Sequence, residues 1–199
     1  MRVYFRAVWL PPVGNPDPFY VKPGAGRWPT DWTLYTATAP AVAWAEYCRN
    51  SVNSVAGADV TGGVGIDAAV LEALGATEIS IAARSMYELD FSFQRLADLT
   101  SQWAMECLRE AGFDADSFFA DQPYGDCPAL AGLASALNWE AMLVPSAAWR
   151  RPDGLCVPVF ESGRARLLAQ RRVLLAARPT VAVAVATHYP TGQRPSWLG

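Results

Sequence analysis

Histidine is almost missing from this chain: His188 is the single one among 199 residues. A serine-hydrolase triad is therefore poorly served. No G-x-S-x-G turn exists, and His188, which could follow Ser146 in triad order, lies near the C-terminus, where a lone histidine reads as a surface or core residue. Cysteine is scarce as well. Cys48, Cys107, Cys127 and Cys156 lie far apart and form no CxxC pair, which excludes a zinc ribbon and a disulfide framework and leaves buried, reduced thiols. Charge is thin, with 18% Asp, Glu, Lys and Arg, a formal net charge of −3 and a pI near 5.2. No basic footprint exists for DNA or RNA, so direct nucleic-acid binding is excluded as the main role. No apolar run reaches the ~18 residues a membrane helix needs. Ala129 to Val144 comes closest, and Ser135, Asn138 and Glu140 interrupt it. The opening MRVYFRAVWLPP is too short for a signal peptide and ends in prolines. The expectation is a soluble, cytoplasmic protein with no membrane partner. Neither an internal repeat nor a dividing linker is visible, so residues 1–199 read as a single domain. The 52% of hydrophobic residues is enough for a sizeable core.

Several secondary-structure signals are clear. Val3 to Trp9 alternates and is rich in β-branched and aromatic residues, which predicts a strand ended by Pro11 and Pro12. Residues 11–31 are an irregular loop rich in Pro, Gly, Asn and Asp. Trp32 to Ala37 is a second strand. Thr38-Ala39-Pro40 then opens a helix, with Thr38 as N-cap and Pro40 in the first turn. Residues 51–65 are expected to be a loop, Asp67 to Leu74 a short helix, and Glu78 to Phe91 one or two strands including ISIAA. Phe93 to Ala111 reads as one or two helices, Asp114 to Pro128 as irregular and Leu130 to Leu137 as helical. Ala141 to Val144 and Leu155 to Phe160 are strands, and two further strands fall within Arg164 to Ala186. Strands and helices do not alternate regularly enough for a doubly wound parallel sheet. The expected class is α+β, a mixed sheet with flanking helices.

Three polar residues stand out. Glu46 sits in Ala-Val-Ala-Trp-Ala-Glu-Tyr-Cys, a helix apolar on nearly every side and hence buried. A buried carboxylate must be paired or hydrogen-bonded; the bland alternative is a solvated Glu, or one paired with Arg49. Arg27 follows Gly24-Ala25-Gly26, where glycine lets backbone approach a ligand, and precedes Trp28, a stacking face. Its guanidinium is a planar fork for phosphate or carboxylate, although alone it reads equally as a loop arginine facing a surface acid. Ser146 follows a buried-looking strand and faces a cleft or simply starts a turn. Thr61-Gly62-Gly63-Val64-Gly65 lacks G-x-G-x-x-G spacing and is read as a loop.

In order along the chain, these pieces resemble the RES domain family. Val3-Tyr4-Phe5-Arg6 is similar to its opening strand, and Gly24-Ala25-Gly26-Arg27-Trp28 to its GGRW or GGRF. Leu34-Tyr35-Thr36-Ala37 resembles its LYLA strand, Ala41 to Glu46 the helix with its Glu, and Leu143-Val144-Pro145-Ser146-Ala147 its VPSA. The likeness spans residues 3–160. Pro29 stands where the family often has Asn, Leu155-Cys156-Val157-Pro158 stands for a late Asn-containing strand, and Asp126-Cys127-Pro128 is unusual.

The resemblance implies the toxin half of a toxin–antitoxin pair and a fold like the ADP-ribosyltransferase toxins, with NAD in a cleft between sheets. It implies NAD degradation by hydrolysis or phosphorolysis, or in some members ADP-ribosylation of a protein. It also implies an Xre-type antitoxin with a helix-turn-helix domain that covers the site. A catalytically weakened nucleotide- or partner-binding protein stays open beside these, as does assembly into a homodimer or hetero-oligomer. NAD would be substrate, inorganic phosphate a co-substrate, and no metal is expected. Cleaving the nicotinamide–ribose bond passes through oxocarbenium character, and nicotinamide leaves as a neutral pyridine without a general acid. Glu46 would stabilise the positive ribose, Arg27 would grip the pyrophosphate or orient phosphate with help from Arg6, and Trp28 would stack. Tyr35 would offer a face and a hydroxyl, and Ser146 would hydrogen-bond nicotinamide or ribose without acting as nucleophile.

Overall fold

The structure, a computed structural model, describes residues 1–6, 19, 21, 23–24, 26–40, 42–43, 46, 86–119, 124–149 and 152–173. Seven strands occur among them: β1 (Arg2–Arg6), β2 (Thr33–Ala37), β3 (Met86–Phe91), β4 (Leu96–Asp98), β5 (Ala141–Pro145), β6 (Leu155–Phe160) and β7 (Leu167–Val173). They hydrogen-bond into one sheet in the order β4-β5-β6-β2-β1-β3-β7. Only β4 and β5 run parallel; the other pairs are antiparallel, so the sheet is mixed. Helices α1 (Gln102–Glu110), α2 (Cys127–Ala136) and the single-turn α3 (Glu161–Arg164) complete an α+β architecture, with a 3-10 turn at Ala115–Phe119.

Strand alternation sorts the apolar residues onto two faces. Leu34, Ala141, Val157 and Val159 join Val3, Leu89 and Phe91 on one side. Met142, Val144 and Phe160 point the other way, where they meet Met105 of α1, Leu130, Ala131 and Ala134 of α2, and Phe118 of the 3-10 turn. Phe91, Phe118 and Phe160 are the largest fully buried side chains, and burying each contributes about 1.5–3 kcal/mol. Ser101 caps α1 by accepting the Ala104 N–H at 3.1 Å, and Pro128 lies in the first turn of α2, where its missing N–H costs nothing. Along β2 every residue is buried except Tyr35. Its register partner across β6 is Pro158, and Ala37 faces Cys156, which in turn faces Val144 of β5.

Several sequence expectations are corrected. Within the run read as helical, residues 96–98 form β4, since three residues are too few to show a period and their parallel pairing with 141–143 is long-range. The stretch read as irregular contains the 3-10 turn and the first turn of α2. Residues 161–164 form a helical turn before β7. Thr38 donates its hydroxyl to the Leu155 carbonyl at 3.3 Å, a tie to β6, while Ala39 accepts the first helical bond from Ala43. Residues 7–10, the ISIAA segment, 51–65, the expected helix at 67–74, Cys48, Arg49, His188 and the second apolar run after Arg178 lie outside the described residues.

A buried ion pair locks β4, β5 and α3 together. Glu140, 4% exposed, accepts the N–H groups of Gln94 and Arg95 at 2.6 and 3.1 Å and the Arg166 guanidinium at 2.5 Å. Burial opposes its ionisation, but these donors outweigh burial and hold the carboxyl below its ordinary value. Such a group stabilises the fold fully above its unfolded pKa, about 4.3, and that stabilisation is lost as pH falls through the lower native value. Glu140→Gln is expected to cost about 2–4 kcal/mol at neutral pH. Denaturant titrations from pH 7 to pH 3 should show the wild type converging on the variant.

Candidate functional site

A cleft of about 720 Å³, its open mouth included, lies where β2, β6 and the end of β5 meet the helix of Glu46. Its walls include Arg27, Tyr35, Glu46, Tyr124, Ala147 and Cys156. The motifs expected to belong together therefore do meet, and among the described residues the cleft lies over adjacent strands of the sheet.

Glu46 reaches the cleft from a segment that is helical at Pro40, Val42, Ala43 and Glu46 itself, with Val42 and Ala43 buried. Its Oε1 accepts the Ser146 hydroxyl at 2.7 Å, the Ala147 N–H at 3.0 Å and the Ala148 N–H at 3.2 Å. Consecutive backbone N–H groups at a bend after a strand make a concave anion seat. Donors directed at the charged form favour a carboxylate. No pairing to Arg49 is needed to explain how Glu46 is tolerated.

Ser146 is part of that seat. It has no exposed surface, its hydroxyl hydrogen goes to Glu46, and its oxygen accepts the N–H groups of Ala148 at 3.2 Å and Trp149 at 2.9 Å. In this arrangement the Ser146 hydroxyl is engaged in fixing the bend and the carboxylate.

Arg27 is mounted from below. Its Nη1 donates to the carbonyls of Phe118 at 2.8 Å and Ser117 at 3.2 Å, and its Cζ lies 4.9 Å from the centre of the Tyr124 ring. Those contacts fix the guanidinium plane. Nη2 is buried without a hydrogen-bond partner, in a residue only 8% exposed that lines the cleft. A buried charged donor left unmatched is costly, so this atom marks where an anionic oxygen fits. Cys127 packs beside the same mount; burial raises its thiol, and the positive charge of Arg27 opposes the rise.

Tyr35 is 36% exposed, the outlier of its strand, yet its hydroxyl turns inward and accepts the Trp28 N–H at 2.8 Å. Burial of that hydroxyl pushes the phenol up, so it stays neutral. This arrangement explains the glycine before Arg27. Gly26 has φ +86°, and a Cβ there would lie 2.5 Å from the Tyr35 hydroxyl. Trp28 is a wall rather than an open stacking face: it is 2% exposed and sits edge-on to Phe118 at 5.2 Å. Arg6 ends β1 opposite Met86, and its side chain lies outside the described residues.

Two cleft residues carried no strong sequence signal. Tyr124 comes from the stretch read as irregular, and only the fold brings its ring over Arg27. Cys156 stood out as a departure from the RES pattern. Its thiol donates to Glu46 Oε1 at 3.6 Å, and burial, then the negative charge of Glu46, raises its pKa well above the ordinary thiol value.

The cleft thus offers a fixed carboxylate, a fixed guanidinium with one open NH2 group and a neutral phenol ring. Among the described residues no group of three or more His, Cys, Asp or Glu could hold a metal ion, and no helix is long and apolar enough to cross a membrane. No family model matches the chain, and no curated protein matches it either. Among solved structures, a chain of the M. tuberculosis MbcT-MbcA toxin–antitoxin complex is similar at 20% identity and a TM-score of 0.45, over 81% of this chain and 75% of that one.

Proposed function

We propose that this chain binds NAD in the cleft and cleaves its nicotinamide–ribose bond, as the RES-like motifs imply. The observation that carries the reading is the pairing of opposite charges across one cavity: Glu46 held through Oε1, and Arg27 with a buried, unmatched Nη2. Arg27 takes a phosphate oxygen of the pyrophosphate, or inorganic phosphate as co-substrate. Glu46 stabilises the positive ribose as the C1′–N bond breaks. The bonding electrons leave with nicotinamide, which departs neutral. Water or phosphate forms the new C1′–O bond, and its proton passes to solvent. Tyr35 lends a face at the mouth. An Xre-type antitoxin with a helix-turn-helix domain is the partner this reading implies, covering the cleft in a toxin–antitoxin pair.

The test is purified protein with NAD, in phosphate and in phosphate-free buffer, with products resolved by chromatography. ADP-ribose indicates hydrolysis, and its 1″-phosphate indicates phosphorolysis. Radiolabelled NAD leaving ADP-ribose on a protein band would shift the reading to transfer. NAD that survives all three conditions intact would sink it.

A further inference from the structure

Oε1 of Glu46 collects four donors, and they are not alike. Three come from one bend after β5: the Ser146 hydroxyl and the Ala147 and Ala148 N–H groups. The fourth, the Cys156 thiol, comes from a different strand. Cys156 sits in β6 between Ala37 of β2 and Val144 of β5 and lines the cleft. Both neighbours are apolar and buried, and the polar side chains that reach the thiol are Glu46 and Ser146, the same pair that is joined at the bend.

We infer that Cys156 is a further positioning residue of this site: its thiol holds Glu46 from the sheet side and sets the direction of the carboxylate. The inference deepens the reading of Glu46 as the ribose-stabilising group and rests on it for the kinetic consequence. The physical logic concerns donor strength. Three ordinary hydrogen bonds on one oxygen already draw off negative charge. A fourth strong donor would draw off more, and with it the attraction for a positive ribose. A thiol is a weak donor. It fills the seat below Glu46 and limits its rotation while leaving most of the charge on the carboxylate. Burial and the charge of Glu46 keep the proton on sulfur, so the contact persists through the neutral range.

Two measurements separate this from a packing role. The first needs no activity. The infrared S–H stretching band of Cys156, isolated by subtracting the Cys156→Ser spectrum, should lie displaced from that of a free thiol and move back in Glu46→Gln. A band at the free-thiol position in the wild type overturns the inference, whatever the protein does to NAD. The second is kinetic. Cys156→Ala should lower kcat about 3–10-fold with KM within about twofold, the pattern of an interaction felt in the transition state. Cys156→Ser restores a donor, but a stronger one that draws charge off the carboxylate, and should recover only part of the loss, whereas a packing role predicts equal rates for Ala and Ser. A displaced band in a protein inert towards NAD supports the contact and overturns the proposed reaction instead.

Discussion

Glu46→Gln is expected to lower NAD turnover by about 10²–10³-fold while leaving the melting temperature within a few degrees of wild type. The two side chains have nearly the same shape. A Gln carbonyl oxygen in the place of Oε1 still accepts the Ser146 hydroxyl and the Ala147 and Ala148 N–H groups. What disappears is the charge, and only the charge opposes the positive ribose. The loss should fall on kcat, with KM changed by less than about threefold, because in ground-state NAD the positive charge sits on the nicotinamide ring and reaches the ribose only as the bond breaks. Ser146→Ala makes the complementary case. It strips the bend of an acceptor for two buried N–H groups, at a cost of about 1–3 kcal/mol, and should lower stability and rate together. A Glu46→Gln protein that turns NAD over at the wild-type rate would remove Glu46 from the mechanism.

The second large effect lies outside the cleft walls. Gly154→Ala is expected to destabilise the protein by about 2–4 kcal/mol and to weaken NAD binding as well. A Cβ at position 154 would lie 1.8 Å from the Trp149 carbonyl oxygen, which is backbone and cannot swing aside. The Gly154 carbonyl also accepts the Ser146 N–H at 2.7 Å. Residues 146–149 and 154 are thus pressed against each other, and three of the four donors of Glu46 lie within that press. Relieving the collision moves the bend and misaligns the carboxylate. Chemical denaturation and calorimetry with NAD on one preparation should report both losses. If stability falls while affinity holds, the bend is not what positions Glu46.

What could be read from the chain alone follows from how local each signal is. Gly26-Arg27 and Glu46 were legible because each breaks a local pattern, a glycine turn with an arginine and a carboxylate within an apolar helix, whereas Tyr35, an ordinary strand aromatic, entered only through the likeness of Leu34-Tyr35-Thr36-Ala37 to a family strand. Their order then resembled a known family. The role of Ser146 was not legible, since its hydroxyl answers to a residue 100 positions earlier. Trp28 looked like a stacking face because an aromatic beside a ligand arginine and an aromatic in a core have the same sequence. β4 was hidden in a helical pattern because its partner lies more than forty residues downstream. Tyr124 left no trace, as an irregular stretch has no period from which its direction could be inferred. The mixed α+β class was within reach, because it needs only the order of elements.

The placement of β2 between β1 and β6 has a temporal consequence. Arg27, Tyr35 and Glu46 are all made early, but the strand that pairs with Tyr35 and the serine that seats Glu46 are made about a hundred residues later. A nascent chain that has emerged only through β4 carries every charged group of the cleft and has no cleft. The pocket needs β6 beside β2, a pairing of high sequence separation. A fragment that stops before β6 therefore lacks the strand that faces Tyr35 and offers no cleft to a ligand or a partner.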